Sequence, residues 1–252
     1  MTAPLFHLSP GALDGAGPGS VVQLEGSEGH HAATVMRLQA GEPIQLSDTA
    51  QHRATGTIQE VTGNQLSIQL EEVHQEKPQR PHLVLVQALA KDKRDLQAVE
   101  SATELGVDRI IPWQAERSVA RWKAGREAKK HSEWVNTVRA AAKQTRRAVI
   151  PEVEQLHSTG QYAAAVAEHP DIAVVVLHET EEATLAKAVE SVPEAAELHL
   201  VVGPEGGISD REVQQLTEAG AQVARLGKNV LRSSTAGPSA LAAVQLLLGR
   251  WD

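Results

Sequence analysis

The sequence predicts an α/β protein in two parts: a small β-barrel over residues 1–73 and, after a linker at 74–81, an alternating α/β domain over 82–252. Three observations predict it. The first stretch holds short runs with period-two alternation, the mark of half-buried strands. His74–Pro81 carries two prolines and no apolar side chain, so it has nothing to pack and little backbone freedom. Beyond Pro81, apolar strands alternate with helical patterns, as in a parallel sheet covered on both faces.

In the first part the expected strands are Val21–Leu24, Ile44–Leu46, Thr55–Val61 and Leu66–Leu70. Gly63-Asn64 joins the last two as a hairpin turn. One helix is embedded, starting after Ser27 and ending near Leu38, with Gly41 as its stop. In the second part the expected strands are His82–Leu89, Arg109–Trp113, Ile172–Leu177, Leu198–Val202 and Gln222–Leu226. Helical patterns lie between them at about 93–105, 125–146, 182–190, 210–219 and 239–248.

Composition narrows the function. The chain has 252 residues and no cysteine, which excludes disulfides, thiolate-bound zinc, iron–sulfur clusters and a cysteine nucleophile. No apolar run approaches the ~18 residues of a membrane span. The first basic residue is Arg37, so we expect no secretory signal and a cytoplasmic protein. Net charge is −8, yet residues 117–150 hold ten basic and two acidic side chains. That +8 segment reads either as a local polyanion site or as a solvated helix face.

Two loops carry the strongest chemical signal. Leu198–Val202 runs into Gly203-Pro204-Glu205-Gly206-Gly207, and Ser209 with Glu212 forms a capping box that starts the next helix. Glycines at the C-terminal end of a strand let a ligand approach the backbone, where α/β proteins keep their ligand crevice. The phosphate-cradling lysine of a P-loop is missing, so a nucleotide-hydrolysing reading fails. The second loop, Leu226–Pro238, also follows a strand, with Pro238 suited to a first helical turn. Arg232 stands there among apolar and small residues, facing a ligand, a phosphate or a partner acid. A third strand end, Val176-Leu177-His178-Glu179, could join the other two in one crevice.

Together these residues resemble the RsmE family, the small-subunit rRNA uridine N3-methyltransferases of the SPOUT, or trefoil-knot, superfamily. The similarity lies in Val202–Ile208 and in Leu226–Ala236. It extends to Thr103–Val107, Glu116–Val119, Gln144 with Arg147 before Pro151-Glu152, and His178-Glu179. His30-His31 and Val35–Leu38 before Gly41 resemble the family's N-terminal PUA-like domain. The resemblance implies a PUA-like RNA-binding barrel, a C-terminal trefoil knot and S-adenosylmethionine (SAM) bent among the three loops. It also implies a homodimer that completes the site, and N3 of uridine 1498 of 16S rRNA in the small subunit as target. The chain departs from the family at Ser233-Ser234, where Thr-Glu is usual. It departs again at Lys143, where an acid is usual, and at Leu5-Phe6, where Arg-Phe is.

Methylating N3 of uracil requires loss of its proton and stabilisation of charge on the flanking oxygens. Arg117, Arg147 and Arg232 are the expected positive groups; Glu205 is either the base or a group that orients a loop amide. We expect Leu177, His178, Gly203, Pro204, Glu205, Gly206 and Ile208 to hold the cofactor, with Leu226, Gly227, Asn229, Leu231 and Ser233 from the last loop. His31, Arg37, Arg121, Lys143 and Arg146 are the expected RNA contacts. Trp113, Trp122 and Trp134 could stack on a base, but core packing is preferred for each. His30 and His31 point about 100° apart on a helix with no third ligand at suitable spacing, so no metal is expected. Ribose 2′-O methylation on the same fold, and a non-catalytic RNA-binding assembly factor, are the alternatives.

Overall fold

A computed structural model describes residues 3–179, 182–192 and 195–251. They divide into two compact units, Met1–Pro78 with Ala142–Ile150, and Gln79–Ala141 with Pro151–Asp252.

The first unit holds β1 (Leu5–His7), β2 (Val21–Leu24), α1 (Gly26–His30), β3 (Pro43–Ser47), β4 (His52–Thr62) and β5 (Gln65–Gln75). Among the described residues these strands form one five-stranded sheet in the order β1-β3-β4-β5-β2. β1 pairs with β3 in parallel and the other pairings are antiparallel. Alternation along β4 and β5 turns Ile58, Leu66, Ile68 and Leu70 inward onto Phe6, Leu24, Ile44 and Leu46, all at most 1% exposed. The embedded helix is shorter than its sequence pattern. α1 passes into a π-helical turn over His31–Val35, and the chain leaves the helix at Arg37, whose φ of 57° is left-handed. His74 and Gln75, read as the start of the linker, continue strand β5.

Two features of this unit escaped the sequence reading. At the β3–β4 turn, buried Asp48 accepts hydrogen bonds from the backbone amides of Ala50, Gln51 and His52 and from the His52 ring. Burial alone would raise its pKa; those donors outweigh it and hold the carboxyl below its ordinary value. The other feature is Ala142–Ile150, distant in sequence but part of this unit. The His7 ring donates to the Arg147 carbonyl at 3.0 Å, the Ile150 amide to the Thr49 carbonyl at 3.1 Å, and the Ser47 hydroxyl to the Ala148 carbonyl. Lys143 pairs with Glu28 at 2.6 Å and lies over the Phe6 ring. The lysine at one departure from the family pattern thus meets the phenylalanine that follows another, Leu5.

The second unit begins with β6 (His82–Ala88), α2 (Arg94–Glu104), β7 (Arg109–Gln114) and α3 (Glu127–Gln144), the last turn of which clusters with the first unit. It continues through β8 (Glu152–Val153), β9 (His157–Ser158), α4 (Thr159–Ala167), β10 (Ile172–Leu177) and α5 (Leu185–Glu190). It closes with β11 (Glu197–Val202), α6 (Asp210–Glu218), β12 (Gln222–Ala224) and α7 (Ser233–Leu247). Among the described residues its sheet has seven strands, ordered β12-β10-β11-β6-β7-β8 with β9 also on β7, and every pairing is parallel. The continuously apolar strands expected for such a sheet are its centre: Leu83–Val86 and Leu198–Val201 are each 0–2% exposed. Strand order departs from chain order where β11 inserts between β10 and β6, the kind of switch point at which α/β folds open a crevice.

α4 was missed by periodicity, although its Ser158/Gln161 capping box was readable in the sequence. α7 corrects another expectation. It starts at Ser233, so Pro238 lies inside the helix and not in its first turn. The Ser233 hydroxyl accepts from the buried Gln87 amide at 2.9 Å. That contact and the burial of Ser233 and Ser234 favour the extra turn, against the one backbone bond a proline omits. Tryptophans 113 and 134 are core residues, 0% and 2% exposed, and Trp122 packs edge-on against Trp134. No helix among the described residues is long and apolar enough to cross a membrane.

Candidate active site

Because the strands are parallel, the loops after β10, β11 and β12 all emerge at one edge of the sheet. They enclose a cavity of about 300 Å³. Its walls are Leu177–Glu179 from the first loop, Gly203–Glu205 with Ile208 from the second, and Val230–Ser233 from the third. A narrower recess of about 70 Å³ continues from it between Leu177, Leu226, Gly227, Asn229 and Leu231. Thus eleven of the twelve expected cofactor residues line the cavity or the recess, which share Leu177, Val230 and Leu231 in their walls, and Arg232 lines the cavity.

The twelfth, Gly206, faces the other way. A Cβ there would stand 2.9 Å from the Arg117 Cβ and 3.0 Å from its carbonyl oxygen, so only glycine lets the two loops meet. Arg117 in turn donates to the Gly206 carbonyl at 3.3 Å. Gly203 is equally constrained, since a Cβ would lie 2.7 Å from Ile208. The glycines of this loop therefore serve close packing as much as ligand access.

A buried carboxylate fixes the loop from below. Glu212, 1% exposed, accepts from the Glu116 amide at 2.9 Å, the Thr159 hydroxyl at 2.7 Å and the Ser209 amide at 3.1 Å. The capping box thus reaches beyond its own helix to the segment that carries Arg117. Ser209 also donates to Glu116 at 2.7 Å, and Arg211 pairs with the same carboxylate. Those two donors hold the Glu116 carboxyl below its ordinary value.

Several functional positions were not singled out from the sequence. Arg94, at the start of α2, lines the cavity and pairs with Glu205 at 3.4 Å. The turn that presents it has two consecutive non-glycine residues in the left-handed region, Asp92 (φ 56°) and Lys93 (φ 58°). Such conformations each cost roughly 1–3 kcal/mol and gather at functional sites. The readable signal was its position just past the C-terminal end of β6. Val230 and Ala236 were likewise missed; both are small or apolar and carry no chemistry of their own.

The remaining expected residues lie elsewhere. Arg147 belongs to the first unit and is not among the cavity-lining residues. His31, Arg37, Lys143 and Arg146 are also in the first unit, where the Phe6 and His31 rings pack at 6.0 Å. Arg121 is in the second unit, where it lines an open groove with Gln114, Gln214 and Arg211.

Residues 75–245 match the RNA methyltransferase domain family, and residues 24–71 match the RNA methyltransferase PUA domain. The chain belongs to the RNA methyltransferase family. Within it, the chain is 43% identical over 236 residues to ribosomal RNA small subunit methyltransferase E of Mycobacterium bovis, covering 93% of this chain and 89% of that one. It is 31% identical to the protein of that name from Bacillus subtilis, covering 88% of each. A crystal structure of the Neisseria gonorrhoeae ribosomal RNA small subunit methyltransferase E bound to S-adenosyl methionine superposes with a TM-score of 0.82. The identity is 26%, over 98% of both chains.

The cavity fits the ligand of that relative in kind. Its volume lies at the lower end of the ~300–1,000 Å³ usual for small-molecule sites. Leu177, Ile208 and Leu231 supply apolar surface for a base, while Arg94, Glu205 and Arg232 supply charge.

Proposed function

We propose that this chain is a SAM-dependent rRNA methyltransferase that modifies N3 of uridine 1498 of 16S rRNA in the small ribosomal subunit. One observation carries the reading: the three loop motifs, dispersed over 177–233, close a single cavity at the C-terminal edge of a parallel sheet. The family match and the 43% identical relative give that cavity its chemistry.

When bound, the cofactor supplies a methyl group activated by its sulfonium. The chain's residues do the rest. The recess by Leu226, Gly227 and Leu231 takes the adenine through backbone groups and apolar faces, so side-chain size matters there more than charge. Arg232, at the start of α7, and Arg117, held on the Gly206 carbonyl, border the cavity loops and offer positive charge to uracil O2 and O4. Such donors lower the cost of losing the N3 proton, because the resulting anion is spread over those oxygens. Glu205 is turned toward Arg94, which counts against its acting as the base. Ser234 is itself buried, so a hydroxyl replaces the family's usual glutamate inside packed structure.

The first unit, as a PUA-like barrel, would hold the RNA through His31, Arg37, Lys143 and Arg146, with Arg147 on the uridine's phosphate and Arg121 from the second unit. The C-terminal segments would thread the trefoil knot, and a second copy would cover the cavity rim, where Val230 is 74% exposed and Leu231 38%. The enzyme would act in the cytoplasm, on the assembled subunit.

The test is mass spectrometry of nucleosides from small subunits lacking this modification, incubated with the purified chain and labelled SAM. Appearance of 3-methyluridine is the expected result. A methylribose would move the acceptor to a 2′-hydroxyl, and no transfer despite subunit binding would support the assembly-factor reading.

A further inference from the structure

Arg94 and Glu205 stand side by side in the wider part of the cavity and are absent from the lining of the narrow recess, which is where Leu226 and Gly227 lie. Their ion pair is long, 3.4 Å, and both side chains are partly buried, 31% and 19% exposed. Arg94 is brought there by a strained turn after β6, and Glu205 by the Gly-Pro-Glu-Gly-Gly loop after β11, the strand paired with β6. No ladder or core contact needs a charge pair at this point. A ligand with one positive and one negative group does.

We propose that Arg94 and Glu205 recognise the zwitterionic end of the cofactor, the guanidinium taking the α-carboxylate and the carboxylate taking the α-ammonium. The inference rests on SAM being the cofactor. An α-amino acid carries its two charges on one carbon, so its receptor needs complementary charges in contact with each other, as this pair is. Without ligand the two side chains satisfy one another. With ligand each exchanges that partner for one of the same sign, so no charge is stripped of its partner in the exchange. Both groups are already partly desolvated and held in place, which lowers the cost of binding. The pair therefore determines affinity for the amino-acid end alone and leaves the adenine recess untouched.

The test compares two ligands that share the adenosine and sulfur but differ at the tail. S-adenosylhomocysteine keeps the amino acid, and 5′-methylthioadenosine lacks it. Affinities of the full chain are measured by calorimetry for the wild type, Arg94→Gln, Arg94→Lys, Glu205→Gln and the double Gln variant. Arg94→Gln is expected to weaken S-adenosylhomocysteine about 10- to 100-fold, as for loss of a charge-assisted hydrogen bond, and to change methylthioadenosine less than twofold. Arg94→Lys, which keeps the charge, is expected to fall between wild type and Gln. The double variant should lose less than the product of the single losses for the tailed ligand, since the two side chains contact each other and hold the same amino-acid tail. Equal weakening of both ligands would show that the pair only shapes the loop, and unchanged affinity for the homocysteine compound would remove Arg94 from the site; either overturns the proposal. Should the Gln variant not fold, Arg94→Lys alone decides by the same tail dependence. If the wild type binds neither compound, the SAM reading fails with it.

Discussion

The parallel sheet of the second unit ends in a cavity at each edge, and the two are similar in size, about 300 Å³ at the C-terminal edge and about 260 Å³ at the N-terminal edge. Their walls differ in kind. At the C-terminal edge the wall is made by three loops, with Gly203 and Gly207 among the charged side chains Arg94, Glu205 and Arg232. At the N-terminal edge it is made by strand starts and α4, whose polar side chains bond one another. Arg109 pairs with Glu154 at 3.1 Å and with Glu197; Glu197 meets His199 at 2.8 Å, and the Tyr162 hydroxyl meets His199 at 2.9 Å. Burial holds His199 neutral and raises the pKa of Tyr162, so a neutral imidazole donates through Nε2 to Glu197 and accepts through Nδ1 from the tyrosine. Volume does not mark the site. What distinguishes the first is that three motif-bearing loops converge on it, whereas the network at the other edge joins Arg109, Glu154, Glu197, His199 and Tyr162 to one another.

Substitutions at the two edges are expected to act differently. The largest effect is expected for Glu212→Ala, which leaves two amides and a hydroxyl buried without an acceptor. Stability should fall by about 3–5 kcal/mol in urea denaturation, and SAM affinity should fall with it as the Arg117 segment detaches. Gly206→Val comes next. Its side chain has no space against the Arg117 backbone, so we expect roughly 100-fold weaker SAM binding by calorimetry, with a stability loss of about 1–3 kcal/mol.

Tyr162→Phe removes one buried hydrogen bond at the opposite edge and should cost about 1 kcal/mol of stability. Cofactor affinity should not move; a change there would mean that the two edges are coupled. The smallest effect is one of pH. His199 has a folded pKa below the ordinary 6.5 because it is buried. Its stabilising contribution is therefore complete above pH 6.5 and is lost as pH falls through the folded value. Urea midpoints of the wild type should drop more between pH 7.5 and 5.5 than those of His199→Gln; equal slopes would show that His199 does not govern the edge's stability.

Much of this architecture was legible because its causes are local. Period-two alternation located β2 to β5, continuous apolar runs located β6, β10 and β11, and a capping box located the start of α6. Strands of two or three residues such as β1, β8 and β9 gave no periodic signal, being too short to repeat a pattern. α7 begins five residues before Pro238, a usual first-turn residue, because Ser233 is fixed by a residue 146 positions away, Gln87. Lys143 shows the same limit: its place in a basic run gives no sign of its partners Glu28 and Phe6.

What the sequence determined by itself was the two-part division, the identity of the loops at the C-terminal strand ends and, through motif resemblance, the family. These depend on residues close together in the chain, where steric and hydrophobic preferences act directly. Only the tertiary structure decided that Arg94 stands beside Glu205 from 111 residues away, that Gly206 serves Arg117, and that Ala142–Ile150 completes the first unit. Those pairings follow from the insertion of β11 beside β6 and from close packing of distant segments, and neither leaves a periodic trace in the order of the residues.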